Sequence, residues 1–353
     1  PTSRFTAIRT IIAIATQENM HLKHWDITGA FMTSDIDTEL YLDLPPGYDL
    51  PSGKCIKLAK SLYGLKQSPG LFHSHLEKYL LDYGFEAVGA DRVIFRYTRG
   101  QETILLSLYV DDGLCATNSL PLYNEFIKHL KTRFDLSDKG SLTWYLGVDI
   151  QYDRKHGTTK LSQEQFICAI LERFNMKGCT PLSTPAEPNS HLLKSDQPSV
   201  PDKAAVKAYQ QLVGLLMYLA CFTRPDIAYA INQCAKYMSN PGPTHVAAAK
   251  RILKYLQGTK SKGLTYTRTS DPSQANVLTS YADSDHAGDP DSRRSVTGYL
   301  NVMNGAAVSW QSVRQQVVAL SSAEAEYYAA SVAGTDVQYI RRLTEELGYP
   351  QPG

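Results

Sequence analysis

Several α+β units joined by a proline-rich connector are what this sequence predicts, and three observations predict them. Strand-like and helical patterns intermix over residues 1–160, helical spacing alone fills the middle third, and successive strands followed by one long helix close the chain. At 353 residues the chain fits two or three domains, ample to bury a core. Apolar residues at 43% and charged residues at 20% exclude a collagen-like, coiled-coil or wholly disordered chain. Lys and Arg number 36 against 35 Asp and Glu, so net charge alone points to no polyanionic partner.

In chain order, apolar spacing predicts a helix over 8–17, a strand at 41–44 and a helix over 71–83. Residues 104–110 and 114–116 read as two strands flanking a tight turn. Segment 179–202 sets Pro181, Pro185, Pro188, Pro198 and Pro201 among Ser, Thr, Asn and Asp, which predicts a linker. Helices follow over 209–219, 228–238 and 245–256, the last with Pro243 just ahead of its start. Strands at 277–282, 298–303 and 306–311 then lead to a helix over 321–347, where Ser321 and Glu324 stand at capping-box spacing.

The six cysteines form no C-x-x-C pair, so buried free thiols in a reducing compartment are expected. The apolar stretch 214–222 is about half of a bilayer span, and no membrane segment is expected. Residue 1 is Pro and no signal peptide follows it, so the chain is expected to be an intracellular piece of a longer protein. Between 227 and 270 there is no Asp or Glu, while Lys236, Lys250, Arg251, Lys254, Lys260, Lys262 and Arg268 supply positive charge. A solvated face and a polyanion contact both fit that run.

Two acidic constellations carry the chemistry. Leu105, Leu106, Leu108 and Val110 lead into adjacent Asp111 and Asp112 at an expected hairpin tip. Adjacent carboxylates repel and favour a cation, although an ordinary Asp-Asp turn gives the same pattern. Asp26, within His24-Trp25-Asp26-Ile27-Thr28-Gly29-Ala30-Phe31, ends another apolar segment and serves either as the third acid or as a helix N-cap. Farther on, Asp283 and Asp285 follow a strand and Glu324 and Glu326 open the last helix, where acids also complement the helix dipole.

Between Asp26 and Tyr109 lie the segments 39–48 and 61–69, the latter containing Leu62-Tyr63-Gly64-Leu65-Lys66-Gln67-Ser68-Pro69. After them come Leu146-Gly147-Val148-Asp149-Ile150, Leu161-Ser162-Gln163, Thr223-Arg224-Pro225-Asp226-Ile227-Ala228, Ala248-Ala249-Lys250-Arg251-Ile252-Leu253 and Ser309-Trp310. This ordered series, spanning essentially the whole chain, resembles the reverse transcriptase of the Ty1/copia class of LTR retrotransposons.

The resemblance implies a right-hand polymerase palm with partial fingers at 1–160 and a thumb or connection segment at 161–274 that includes the linker. A truncated ribonuclease H-like mixed α/β domain would occupy 275–353. It implies an RNA-directed DNA polymerase with an attached ribonuclease H, each site using two Mg2+ or Mn2+ ions. Asp26, Asp111 and Asp112 would hold one pair of ions, and Asp283 and Glu326 the other, with Asp285 a candidate substitute ligand. Phe31, five residues after Asp26, matches a ring that excludes a 2′-hydroxyl, while core packing also accounts for an aromatic there.

Tyr63, Gly64 and Gln67 match the nucleotide pocket, and Val110 the residue at the primer end. Gly70 stands where an Arg is expected. Lys250, Arg251, Lys254, Lys260 and Lys262 would contact nucleic-acid phosphates. The implied partners are an RNA template, a DNA primer, their hybrid, dNTPs and the rest of a polyprotein, in a cytoplasmic virus-like particle or the nucleus. The family's triphosphate-holding basic residues and its third nuclease Asp would fall outside this chain. The rival readings are a relic that binds nucleic acid without chemistry and a nuclease carried on a polymerase scaffold.

Overall fold

Residues 2–43, 47, 48, 51, 54–188 and 190–352 are described by the computed structural model. The chain divides into two units, one holding Met20–Leu142 with the residues up to Arg4, the other Phe5–Asn19 with Thr143–Gly353. The helix α1 (Phe5–Gln17) therefore belongs to the second unit.

The first unit runs β1 (His21–Ile27), β2 (Tyr41–Leu42), β3 (Ile56–Lys57), α2 (Ser68–Tyr83), β4 (Glu86–Ala87), β5 (Ile94–Arg99), β6 (Glu102–Tyr109), β7 (Asp112–Thr117), α3 (Leu120–Leu130) and β8 (Leu136–Ser141). Six strands form an antiparallel sheet in the order β4-β5-β6-β7-β1-β8. The remaining pair, β2 and β3, covers the first half of the strand expected at 41–44, whose last residue lies outside the described residues. Phe72, Leu76 and Leu80 recur every fourth residue on α2 and join Leu122, Phe126 and Leu130 of α3 in one core with Trp25, Phe95, Leu106 and Cys115. Ser119 starts α3 by accepting a hydrogen bond from the Leu122 amide.

The second unit continues with β9 (Trp144–Tyr145), β10 (Val148–Asp153), β11 (Thr158–Ser162), α4 (Glu164–Arg173), α5 (Lys203–Phe222), α6 (Ala228–Ala235), α7 (Pro243–Gly258) and β12 (Gly263–Thr267). It ends with β13 (Thr279–Ser284), β14 (Val296–Met303), β15 (Ala306–Arg314) and α8 (Ser322–Glu346). One sheet has the order β12-β11-β10-β9 and another β13-β14-β15, with α8 packed on β13 and β14. Ile167, Leu212, Leu216, Leu219, Ile231, Ile252 and Leu253 knit α4 to α7 into a helical core.

Several expectations need correction. The boundary expected at 160 falls inside β11, which pairs from Thr158↔Thr267 to Ser162↔Gly263; the first unit ends instead at Leu142. By length and composition α5 is long and apolar enough to cross a bilayer, which the 214–222 stretch alone did not show. Its Tyr209, Leu212, Val213, Leu216 and Leu219 are placed in the helical core. The capping box of α8 is offset: Ser321 Oγ accepts from the Glu324 amide at 3.1 Å, but Glu324 Oε2 accepts from Leu320 N at 2.7 Å rather than from Ser321.

Buried charges tie distant segments of this unit together. Arg9, 3% exposed, donates from Nε to Val308 O at 2.8 Å and from Nη1 to Cys221 O and Phe222 O at 2.7 and 3.0 Å. Two of those carbonyls end α5, where the helix dipole is negative. The guanidinium lies 4.1 Å from the centre of the Trp310 ring, and burial lowers its pKa to about 10. In the Thr223-Arg224-Pro225-Asp226 segment, Arg224 binds both oxygens of Asp226 and also Thr259, while Tyr255 donates to Asp226 at 2.7 Å. That motif is a brace between the ends of α5 and α7.

Asp289, 2% exposed, accepts from Lys236 Nζ at 2.7 Å, from Arg314 Nη1 at 2.8 Å and from Ser292 Oγ. Lys236 is thus a structural cation rather than part of a free basic face. Burial alone would raise the Asp289 carboxyl, but its three donors outweigh burial and hold it far below the ordinary carboxylate range. Its stabilisation is present above the unfolded value of about 3.9 and is lost as pH falls toward the depressed folded value. Asp289→Asn, which leaves two cations short of an anion, should cost about 3 kcal/mol at neutral pH. It should also flatten the loss of stability below about pH 4. Urea melts across that range check both; equal stability and equal acid sensitivity would show the cluster to be inert.

Candidate active site

Pairing of β1 with β7 sets His24 opposite Leu114, Trp25 opposite Gly113 and Asp26 opposite Asp112. Residues directly opposite share a sheet face, with Cβ atoms about 4.5–5.5 Å apart. Asp26 and Asp112 therefore present two carboxylates side by side, their side chains 32% and 30% exposed. Asp26 lies in a strand and caps no helix. Tyr109 pairs with Asp112 across a two-residue turn, so Asp111 is in the turn while Asp112 already opens β7.

Asp111 carries the electrostatic mark of its two neighbours. Burial pushes the Asp111 carboxyl up, and the charges of Asp112 and Asp26 add to that rise. The nearest countercharges are modest: Lys139 Nζ stands 3.9 Å from Asp26 Oδ2, and His24 Nε2 lies 2.9 Å from Asp112 Oδ1. Val110 opens the turn at φ 59°, a conformation in which a β-branched side chain is strained. Such strain persists only where the surroundings over-determine it, commonly at functional turns.

Beneath the acids, Trp25 is fully buried and its Nε1 donates to Cys115 Sγ at 3.2 Å. Burial raises the Cys115 thiol to about 12, so it stays neutral. A Cβ on Gly113 would come within 2.1 Å of the Trp25 ring. The glycine after Asp112 is therefore a packing requirement, and a Gly inside a strand was the sequence signal for it.

Beside the acids, Ala30–Thr33 form a 3-10 turn entered through Gly29 at φ 63°. The half-buried Phe31 ring lies 4.6 Å from the Tyr63 ring and 6.1 Å from Phe72, so it packs both on the core and on Tyr63. Tyr63 is 58% exposed, and its phenol is raised by burial and then by Asp111 and Asp26, which places it near the acids. Gly64 follows at φ 96°, with open space where a Cβ would stand. Gln67 sits at the start of α2, its carbonyl accepting from Leu71 N; among the described residues no contact joins its side chain to the acids.

The second acidic pair is less assembled. Asp283, opposite Gly298, lines a cavity of about 930 Å³ with Tyr281, Leu300 and Trp310. Asn301 and Ser309 bind Asp336 of α8, so alternation assigns Asp283 and Tyr281 to the other sheet face. Glu326 is exposed near the start of α8, and among the described residues no bond joins it to Asp283. Asp285 Oδ1 accepts from Val296 N at 2.7 Å and Gly288 N at 3.3 Å, which employs it as a loop staple.

Among the described residues no three His, Cys, Asp or Glu side chains stand as a ready metal cluster. Asp26, Asp111 and Asp112 nonetheless fit a hard cation: all are oxygen donors, mutually repelling and short of countercharge.

A family model described as reverse transcriptase (RNA-dependent DNA polymerase) matches residues 1–188. The chain belongs to the reverse transcriptase family of Ty1/copia-type transposons. Over 99% of its length it is 38% identical to the retrovirus-related Pol polyprotein from transposon TNT 1-94 of Nicotiana tabacum, and 35% identical to that from transposon RE1 of Arabidopsis thaliana. It spans only 26% and 23% of those two proteins. The putative transposon Ty5-1 protein of Saccharomyces cerevisiae is 29% identical over 87% of this chain and 98% of its own length.

In this reverse transcriptase chain the five basic residues divide. Lys250, Arg251 and Lys254 line a cavity of about 620 Å³ beside the proline-rich segment. That segment is anchored, with Arg251 Nη2 donating to Thr184 Oγ1 at 3.1 Å and Leu182 N to Lys254 O at 3.3 Å. Lys262 lines a separate cavity of about 420 Å³, and Lys260 is half-buried.

Gly113→Ala forces its new methyl into the Trp25 ring and should destabilise the chain by about 1–3 kcal/mol. Trp25→Leu on that background should recover part of the loss, giving a favourable coupling in a double-mutant cycle. Additive effects in denaturant melts would show that ring and glycine do not compete for space.

Proposed function

We propose that this chain carries the palm and partial fingers of an RNA-directed DNA polymerase, centred on the unit Met20–Leu142, which extends a DNA primer along an RNA template from dNTPs. The observation that supports it most is the register pair Asp26–Asp112 with Asp111 electrostatically coupled to both. The helices α4 to α7 act as thumb or connection, and 275–353 as a ribonuclease H-like domain. For the latter no hydrolytic step is assigned.

Mg2+ or Mn2+, held by Asp26, Asp111 and Asp112, would activate the primer 3′-hydroxyl and neutralise charge on the leaving pyrophosphate. The chain's own residues supply the rest. The three carboxylates create a concentrated negative field at one strand end. The fixed turn at Val110 presents the primer terminus to it, and the Phe31–Tyr63 wall bounds the sugar of the incoming nucleotide. Steric exclusion at Phe31 would select deoxyribose by leaving no room for a 2′-hydroxyl. Lys250, Arg251 and Lys254 would attract template–primer phosphates.

Primer extension on an RNA template, in this chain and in the longer polyprotein segment that contains it, tests the reading. Asp26→Asn or Asp112→Asn should lower extension by about 10²–10³-fold while the protein stays folded. Phe31→Ala should retain extension and raise ribonucleotide incorporation relative to dNTP. Extension insensitive to both Asp substitutions would refute the site, and an unchanged sugar preference would reduce Phe31 to core packing.

A further inference from the structure

Among the described residues, His24 is a side chain hydrogen-bonded to the acids that the proposed chemistry does not use. Alternate residues of a strand share a face, so His24 lies on the face of β1 that bears Asp26. Because Asp26 is opposite Asp112 and His24 opposite Leu114, the imidazole sits diagonally across from Asp112, within reach of a long side chain. Its Nε2 is 2.9 Å from Asp112 Oδ1, and the His24 side chain is only 15% exposed.

Among the described residues, His24 and Lys139 are the basic side chains set against the acids, and the His24 contact is the one with hydrogen-bond length. Lys139 at 3.9 Å from Asp26 is beyond it. We propose that His24 is a positioning residue for the acid site: its Nε2–H donates to Oδ1 of Asp112, holds that carboxylate beside Asp26 against their repulsion, and leaves the second oxygen for a divalent cation. The inference rests on the reading of the three acids as a cation site. It differs from that reading in what it requires, which is a donor at one particular reach from the backbone rather than more negative charge.

That requirement makes the test specific. The amide nitrogen of Gln stands as many bonds from Cα as Nε2 of His, whereas the amide nitrogen of Asn stands one bond closer. Mn2+ binding to the whole chain, followed by the paramagnetic resonance of the free ion, reads affinity without turnover. His24→Asn and His24→Ala should weaken the binding that Asp112→Asn abolishes by about ten- to a hundredfold, and His24→Gln should stay within about threefold of the parent. Melting curves without ion identify the variants that keep the fold; should His24→Ala melt early, the Asn and Gln pair still decides. Equal affinities for all His24 variants, or a Gln variant as weak as the Ala variant, would overturn the positioning role while leaving the acid site standing. Mn2+ binding in the parent that ignores Asp112→Asn would overturn the acid site and the inference together.

Discussion

Two carboxylates facing each other across neighbouring antiparallel strands impose the constraint that organises the first unit. Like charges directly opposite on a sheet face destabilise the pairing, and Asp111 at the adjoining turn adds a third. The pairing is kept because the next step of the ladder packs so closely. Trp25 fills the space over Gly113, and its ring joins the core formed by α2, α3 and the sheet. A one-residue slip would carry Trp25 out of that core and Asp26 into it. Hydrophobic packing on one face thus enforces electrostatic conflict on the other.

The second unit handles charge in the opposite way. Asp289 is buried and meets two cations and a hydroxyl, and Arg224 meets both oxygens of Asp226. Arg9 is satisfied by three carbonyls. Asp289 and Arg9 tie segments far apart in the chain, as Arg224 does through Thr259, and each is hydrogen-bonded on several sides. Asp26 and Asp112 are each about one-third exposed, with countercharge at the margin. That difference in compensation separates an acid that braces a fold from one left short of countercharge. It also explains why Asp285, stapled by two backbone amides, belongs with the first kind.

Much of this was readable from residue order because it rests on local pattern. Alternating apolar residues marked β6 and β7, helical spacing marked α2, α5 and α7, and paired acids after apolar strands marked Asp26, Asp111 and Asp112. What stayed hidden depends on contacts between distant segments. Nothing near residue 160 shows that β11 pairs with a strand about a hundred residues on, so the boundary was set too late. The lysine run counted Lys236 as free, because its partner Asp289 lies 53 residues away. The contact of His24 with Asp112 depends on the register, which sets His24 opposite Leu114 and diagonal to Asp112. Motif order also does not show that strand alternation assigns Asp283 to the sheet face that does not bind α8.

The claim at the centre is that Asp26, Asp111 and Asp112 form one cation-demanding site. Anomalous diffraction from a crystal of this chain equilibrated with Mn2+ examines it without reference to activity. The expected map has a strong peak bounded by oxygens of these three residues, at metal–oxygen distances of about 2.0–2.2 Å. Peaks found only elsewhere, with Asp26 drawn onto Lys139 and Asp112 unchanged on His24, would contradict it.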